Sequence, residues 1–351
     1  MNQLVTHKGE ECGEFFQAFL GKDRKALFIG TLGFSDLCLY FPRELAAFPN
    51  VDFLFLVEER PEVSQVLKDT AARNKAELLA TLGGRRVQFG TVTIVAEDTA
   101  NVAGRRATAV CRPALDGSYS DVIVDATTMS RGVCFPIVKQ AYERSKGARG
   151  ANAHVVVAGR DRVTVKAHSM SSDAPQYVHG FQGDMGTDAV HGAIKLWIPQ
   201  LSEGAVASLS RIHRVLKPEE SCLILPFPAA DPRRSDLLLR EFQEPVLDEW
   251  DVNLLDVIYA HESDPTDVCE SIVRIQARRR EAFESATDRP DRTVLSPSGT
   301  RIGSVGMLLA ALRLDLPMMY EENVGYTSDM ESVPPLPETD PDHSWHIWLR
   351  P

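Results

Sequence analysis

Closely spaced cysteines are missing from this chain. The six it has, Cys12, Cys38, Cys111, Cys134, Cys222 and Cys269, stand far apart, which excludes the paired spacing of a zinc site and the density of a disulfide scaffold. They read as reduced core residues. An excess of positive charge is missing too: the formal net charge is −11. Bulk duplex nucleic acid as the main partner would need a net basic face to neutralise phosphates, so only a local basic pocket for a small anion is left open. No apolar run approaches the roughly 18 to 20 residues of a membrane span, and the sequence predicts a cytoplasmic protein with no membrane partner. His179, Asp184, Asp188 and His191 lie close together but lack His-Glu-x-x-His or any other spaced metal motif. They read as a polar loop.

With 351 residues, 44% of them hydrophobic and 25% charged, the chain has material for two cores of ordinary size. Short apolar runs at Lys25–Gly30, Val51–Val57, Asp121–Asp125 and His154–Ala158 are nearly continuous rather than alternating. They predict strands buried on both faces of a parallel sheet. Helical spacing follows several of them, as at Val63, Val66, Leu67, Thr70 and Ala71, giving a doubly wound α/β pattern. Val87–Val95 and Arg106–Arg112 alternate, and read as a β-hairpin insertion. After a loose polar stretch the plan returns, with strands at Ser221–Pro226, Val252–Ala260 and Arg292–Ser296 and helices from Ser235, Asp264 and Gly303. The expected organisation is a first Rossmann-like domain over 1–160, a linker over 161–193, a second over 194–330, and an acidic, proline-rich tail over 331–351.

Three matches in the same order suggest that the halves arose by internal duplication. Ser35-Asp36-Leu37 matches Ser235-Asp236-Leu237, Glu59–Val63 matches Ser263–Val268, and Thr128–Arg131 matches Ser298–Arg301. Parallel sheets place ligands beyond the strand C-termini, so the functional cleft is expected where those ends meet.

The strongest candidate site is Ser296-Pro297-Ser298-Gly299-Thr300-Arg301, between a strand and a helix. Unpaired N–H groups at a helix start favour an anion, so Ser298, Gly299 and Thr300 suit a phosphate with Arg301 pairing to it. A capped helix with a solvent-facing arginine fits the same residues. Thr127, Thr128, Ser130 and Arg131 repeat the form after Asp125. Gly30, Thr31, Gly33 and Ser35 make a glycine-containing turn short of the full dinucleotide fingerprint, and Glu58-Glu59 ends the second strand where a ribose-binding acid sits in such folds. Arg233 and Arg234 close the Asp231–Arg234 turn and are further candidates to face an anionic ligand.

The segment Val294–Tyr320, with its Ser-Gly-Thr-Arg turn, small-residue helix and closing Leu-Pro-Met-Met-Tyr strand, resembles the C-terminal part of CARF-type sensor domains. These and the related SAVED domains are Rossmann-like modules that bind cyclic oligonucleotides in defence systems, and Arg301 stands where they often carry lysine. The resemblance implies a sensor for a nucleotide or cyclic oligonucleotide. With no effector domain evident, it also implies an effector protein as partner, or activity within the cleft itself. The alternative is a nucleotide-handling enzyme such as an S-adenosylmethionine-dependent methyltransferase, because Arg211–Pro218 resembles a late methyltransferase segment. No cofactor is assigned.

Overall fold

A computed structural model of the chain describes residues 3–21, 24–96, 101–147, 150–161, 165–182, 193–253, 255–286, 289–337 and 340–350. In chain order, β1 (Gln3–Lys8), α1 (Glu10–Leu20), β2 (Ala26–Thr31), α2 (Tyr40–Leu45), β3 (Val51–Glu59), β4 (Glu62–Val63), α3 (Gln65–Leu82), β5 (Val87–Thr93), α4 (Ala103–Leu115), β6 (Asp121–Asp125), α5 (Arg131–Ser145), β7 (Asn152–Gly159) and β8 (His168–Ser171) come first. Then follow β9 (Gln176–Tyr177), β10 (Ile194–Pro199), α6 (Val206–Leu216), β11 (Glu220–Ser221), β12 (Leu223–Pro226), α7 (Arg234–Glu241), β13 (Val257–Ala260), α8 (Pro265–Ala286), β14 (Asp291–Ser296), α9 (Arg301–Leu314) and β15 (Met319–Tyr320). The chain ends in β16 (Asn323–Thr327) and β17 (His343–Arg350).

Two compact units result: Met1–Ser171 with Glu322–Pro351, and Ser172–Glu321. In the first, a seven-stranded sheet runs β1-β17-β7-β6-β2-β3-β5. Its parallel part, read from β5 to β7, has the order 3-2-1-4-5 of a doubly wound sheet. Every residue of β2 and β6 is buried, as their unbroken apolar runs demand. The expected hairpin insertion is not formed. Val87–Thr93 is a parallel edge strand beside β3, and Ala103–Leu115 is a helix burying Ala103, Ala107, Cys111 and Leu115 at a four-residue spacing.

The tail is also corrected. β17 inserts antiparallel between β1 and β7, so His343–Arg350 is part of the first sheet, and β16 pairs with β4 and β8. The boundary expected at residue 330 therefore falls at Glu321/Glu322.

In the second unit β10 pairs in parallel with β11 and β14, and β12 with β13. Single parallel bridges, Gln200 to Ile224 and Leu295 to Met318, join β10 to β12 and β14 to the start of the last strand. Read as one series, β13-β12-β10-β14-β15 is again 3-2-1-4-5.

The shared order changes which sequence matches correspond. The first strand of the second unit is β10, not Ser221–Pro226. Ser35 thus follows a first strand whereas Ser235 follows a second, and Glu59 ends a second strand whereas Ser263 follows a third. Only Thr128–Arg131 and Ser298–Arg301 occupy the same station, each after the fourth strand and opening the next helix.

The small residues of α9 serve packing. A Cβ on Gly306 would stand 2.5 Å from the Pro265 carbonyl oxygen and 2.6 Å from Val268 Cβ, so the backbones of α8 and α9 touch there. Gly306→Ala is expected to cost about 1–3 kcal/mol by overpacking, against a gain of at most about 1 kcal/mol in helix propensity. Urea unfolding measures the balance, and a neutral or stabilised variant would refute the close approach.

Candidate functional site

The switch point of a 3-2-1-4-5 sheet lies between its first and fourth strands. In the second unit Gln200, just beyond β10, and the Ser296–Arg301 turn beyond β14 flank that point. The Gln200 N–H donates to the Ser296 carbonyl at 3.1 Å. Its side chain crosses the first turn of α9: a Cβ on Gly299 would meet Gln200 Cδ at 2.2 Å, and one on Gly303 would meet Nε2 at 2.1 Å. With glycine at both positions the amide lies directly against the helix backbone.

Thr300 caps α9, its Oγ1 accepting from Gly303 N–H at 3.1 Å and donating to the Glu262 carbonyl at 3.1 Å. The Ser298 N–H donates to the Ser296 carbonyl, while its own carbonyl accepts from Ser202 Oγ at 2.6 Å. Arg301 is the first helical residue. Its Nη1 is shut off from solvent without a hydrogen-bond partner, as is Gln200 Oε1.

The other two arginines of this unit are placed differently. Arg234 pairs with Glu203 at 3.2 Å and Glu262 at 3.6 Å, and Arg233 is an exposed side chain 3.9 Å from Asp231. They follow the second strand rather than the first.

At the equivalent station of the first unit the chemistry is reversed. Ser130 precedes α5, but its N–H donates to Glu58 Oε1 at 2.8 Å. Arg60 bridges Glu58 at 2.7 Å and Glu322 at 3.4 Å, and its Nε donates to the Asn323 carbonyl at 3.0 Å. Glu322 is wholly buried, and a Cβ on Gly132 would stand 2.3 Å from its Oε2. Burial pushes its carboxyl pKa up, while the Arg60 guanidinium pulls it down. Ser130 Oγ lies near enough to favour the charged form, yet neither Ser130 Oγ nor Glu322 Oε2 completes a hydrogen bond of good geometry. Thr127 is used structurally, its N–H donating to Asp125 at 2.9 Å and its Oγ1 accepting from Ala158 N–H at 3.0 Å. Arg131 is half-buried and already has a partner.

The glycine turn of the first unit is held from below. Asn74 of α3, wholly buried, donates to the carbonyls of Gly33 at 2.9 Å and Ser35 at 3.2 Å. Gly30 is glycine because a Cβ would strike the Phe28 ring at 2.7 Å. Thr31 Oγ1 is buried without a partner.

Gln200, Arg60 and Glu322 escaped the sequence reading. Their only signal was indirect: glycines in the first turns of α5 and α9, each crossed by a side chain distant in sequence.

Of the loop His179, Asp184, Asp188 and His191, the last three lie outside the described residues. Among the described residues no group of three or more His, Cys, Asp and Glu side chains is placed to hold a metal ion. No described helix is long and apolar enough to cross a membrane. Burial pushes the Cys38, Cys111, Cys222 and Cys269 thiols up to about 12, so they stay protonated and unreactive at neutral pH.

No protein-family model matches the chain, and no curated protein sequence matches it. Among solved structures, the crystal structure of an O-methyltransferase family 2 protein from Planctomyces limnophilus, in complex with apigenin, is similar over 40% of this chain and 34% of that one. The identity is 12% and the TM-score 0.20. The match thus spans about a third of that protein's length, and the description of the fold rests on the strand order of the two units.

Proposed function

We propose that this chain is a cytoplasmic sensor that binds a nucleotide or cyclic oligonucleotide, with the second unit holding a phosphate at the start of α9. The observation that carries the reading is Arg301 Nη1, buried and without a hydrogen-bond partner, on the first residue of a fourteen-residue helix. An unpaired cationic donor in that position favours an anion, and the helix dipole adds to the attraction. Gln200 offers an amide there rather than a competing charge. The signal then passes to an effector protein partner, and the resemblance to CARF and SAVED domains supports the same reading.

The methyltransferase alternative is the weaker one. Glu58, at the place of the ribose-binding acid, is already occupied by Ser130 N–H and Arg60. Arg211 of the methyltransferase-like segment is tied to Glu321 at 2.9 Å and Asp173 at 3.1 Å.

Calorimetry with cyclic oligonucleotides, mononucleotides and S-adenosylmethionine tests the proposal. Arg301→Ala removes a charge-assisted contact worth about 1.5–3 kcal/mol, so the phosphate ligand is expected to bind about ten- to a hundredfold more weakly. Tight S-adenosylmethionine binding that ignores Arg301 would overturn the sensor.

A further inference from the structure

β5 is the outer strand of the seven-stranded sheet. The Phe53 N–H donates to the Arg86 carbonyl and the Ile94 N–H to the Glu59 carbonyl, so Gln88, Gly90 and Val92 turn their backbone groups toward β3. Those of Val87, Phe89, Thr91 and Thr93 face away from the sheet.

An open edge of this length is a template for another strand, and proteins blunt such edges with lysine, proline, a bulge or a covering segment. β5 has none of these. Val87–Thr93 contains no charged residue and no proline, its pairing with β3 keeps one register throughout, and Gln88, Phe89 and Thr91 are exposed. Two other edges are better protected. β1 carries Lys8, and β13 of the second unit has four residues directly after Asp256.

Apolar surface gathers at the same edge. Leu79 and Phe89, 43% and 40% exposed, are the large hydrophobics of the first unit that stand exposed among the described residues. Lys75 of α3 lies over the Phe89 ring at 4.6 Å, and Leu79 stands one helical turn further along the same face. Strand and helix present one surface.

Its symmetry decides what covers it. Turned about a two-fold axis through Gly90, β5 runs antiparallel to its own copy, with Val87 opposite Thr93 and Phe89 opposite Thr91. Each outward residue then faces an outward residue of the copy, which is the hydrogen-bonded pairing of an antiparallel ladder, and no like charges meet along it. The two Phe89 rings become diagonal neighbours within reach of each other. Because α3 connects β3 to β5, it would lie about 10 Å from its copy, the distance of packed helices. Leu79 is covered as well.

We propose that β5 is where two copies of this chain join, edge to edge, into one continuous sheet about a two-fold axis at Gly90. The inference does not rest on the phosphate contact at α9.

Sedimentation equilibrium of the full chain at tens of micromolar is expected to give twice the 38.8 kDa chain mass. Thr91→Pro removes an N–H that β3 does not use, and Gly90 before it tolerates the restriction that proline imposes. The dimer should weaken at least about tenfold, since each copy loses a hydrogen bond, in a protein whose circular dichroism and melting are those of the parent. Phe89→Glu and Thr91→Lys, both at exposed positions, each bring like charges together across the axis and should be monomeric alone. In the mixture the introduced carboxylate and ammonium stand directly opposite, and the dimer should return. These two variants keep the test open if Thr91→Pro fails to fold.

A parent that sediments as a monomer at that concentration would overturn the proposal and leave the edge to an extended segment of another protein. A dimer that all three variants leave intact would overturn it by placing the interface elsewhere. A mixture of the two charged variants that stays monomeric would refute the axis at Gly90.

Discussion

Asp121→Ala is expected to destabilise the first unit by about 3–5 kcal/mol, the range for breaking a buried ion pair from one side. Asp121 opens β6 and is wholly buried. Its two oxygens accept from Arg24 at 2.8 and 3.0 Å, Ser120 Oγ at 2.6 Å and Asn152 Nδ2 at 2.8 Å, with His154 Nε2 at 3.3 Å. These partners hold its carboxyl well below the usual range against the cost of burial. Alanine would leave the buried His154 without its carboxylate partner and release the half-buried Arg24 and Asn152 from theirs. Asp121→Asn keeps the shape but turns a donor toward other donors, so it should fall between alanine and the parent. Urea unfolding followed by circular dichroism, compared between variant and parent, measures the loss. A loss below about 1 kcal/mol, the range of exposed pairs, would mean that the network contributes no more than a surface ion pair.

The parallel strands were legible because burial on both faces leaves a continuous apolar run, and β2, β3, β6 and β7 all show one. The errors had a common source in short windows. Arg106–Arg112 alternates polar and apolar residues over one segment, which mimics a strand. The buried set Ala103, Ala107, Cys111 and Leu115 declares a helix only over a longer window. His343–Arg350 follows proline-rich sequence that suggests a tail, and only pairing with β1 and β7 makes it a strand.

Half of the candidate site was legible and half was not, for a topological reason. A helix start with Thr300 and Arg301 is a local pattern. The residue that crosses it, Gln200, lies a hundred positions upstream, and Glu322 stands far from Gly132. Sequence shows the glycine that makes room but not the side chain that takes it. The same limit displaced the repeat: Ser35 and Ser235 share capping chemistry common to many helix starts, and only the strand order shows that they follow different strands.

Acidification from pH 7.5 to 5.5 should weaken the first unit through its buried histidines. His7, His346 and His154 form a chain, with Nδ1 of His7 3.0 Å from Nδ1 of His346, and Nε2 of His346 2.9 Å from Nδ1 of His154. The chain ends on Asp121. His346 and His154 are buried, and around them stand the rings of Phe15, Phe19 and Trp348, with Arg24 on Asp121. Burial lowers the pKa of both; for His346 the neighbouring His154 and His7 lower it further, and for His154 the Asp121 carboxylate opposes the shift. Each histidine therefore binds its proton more readily in the unfolded chain, near the ordinary 6.5. The stability it contributes is full above that pH and is lost as pH falls through it. Two such histidines, if both stay neutral in the folded state, give a loss of at most about 2 kcal/mol between pH 6.5 and 5.5. Glu322 and Glu44, whose pKa values burial raises, carry the opposite sign: they take up protons first in the folded state, between their raised values and the ordinary 4.5, and offset part of the loss. His213 of the second unit, lowered by partial burial, adds a dependence of the same sign there. Urea midpoints at pH 7.5, 6.5 and 5.5 are expected to fall. In His346→Phe, where a ring still stacks on Phe15, the slope should drop by about half. Midpoints that hold or rise over this range would show that the chain takes up its protons in the folded state.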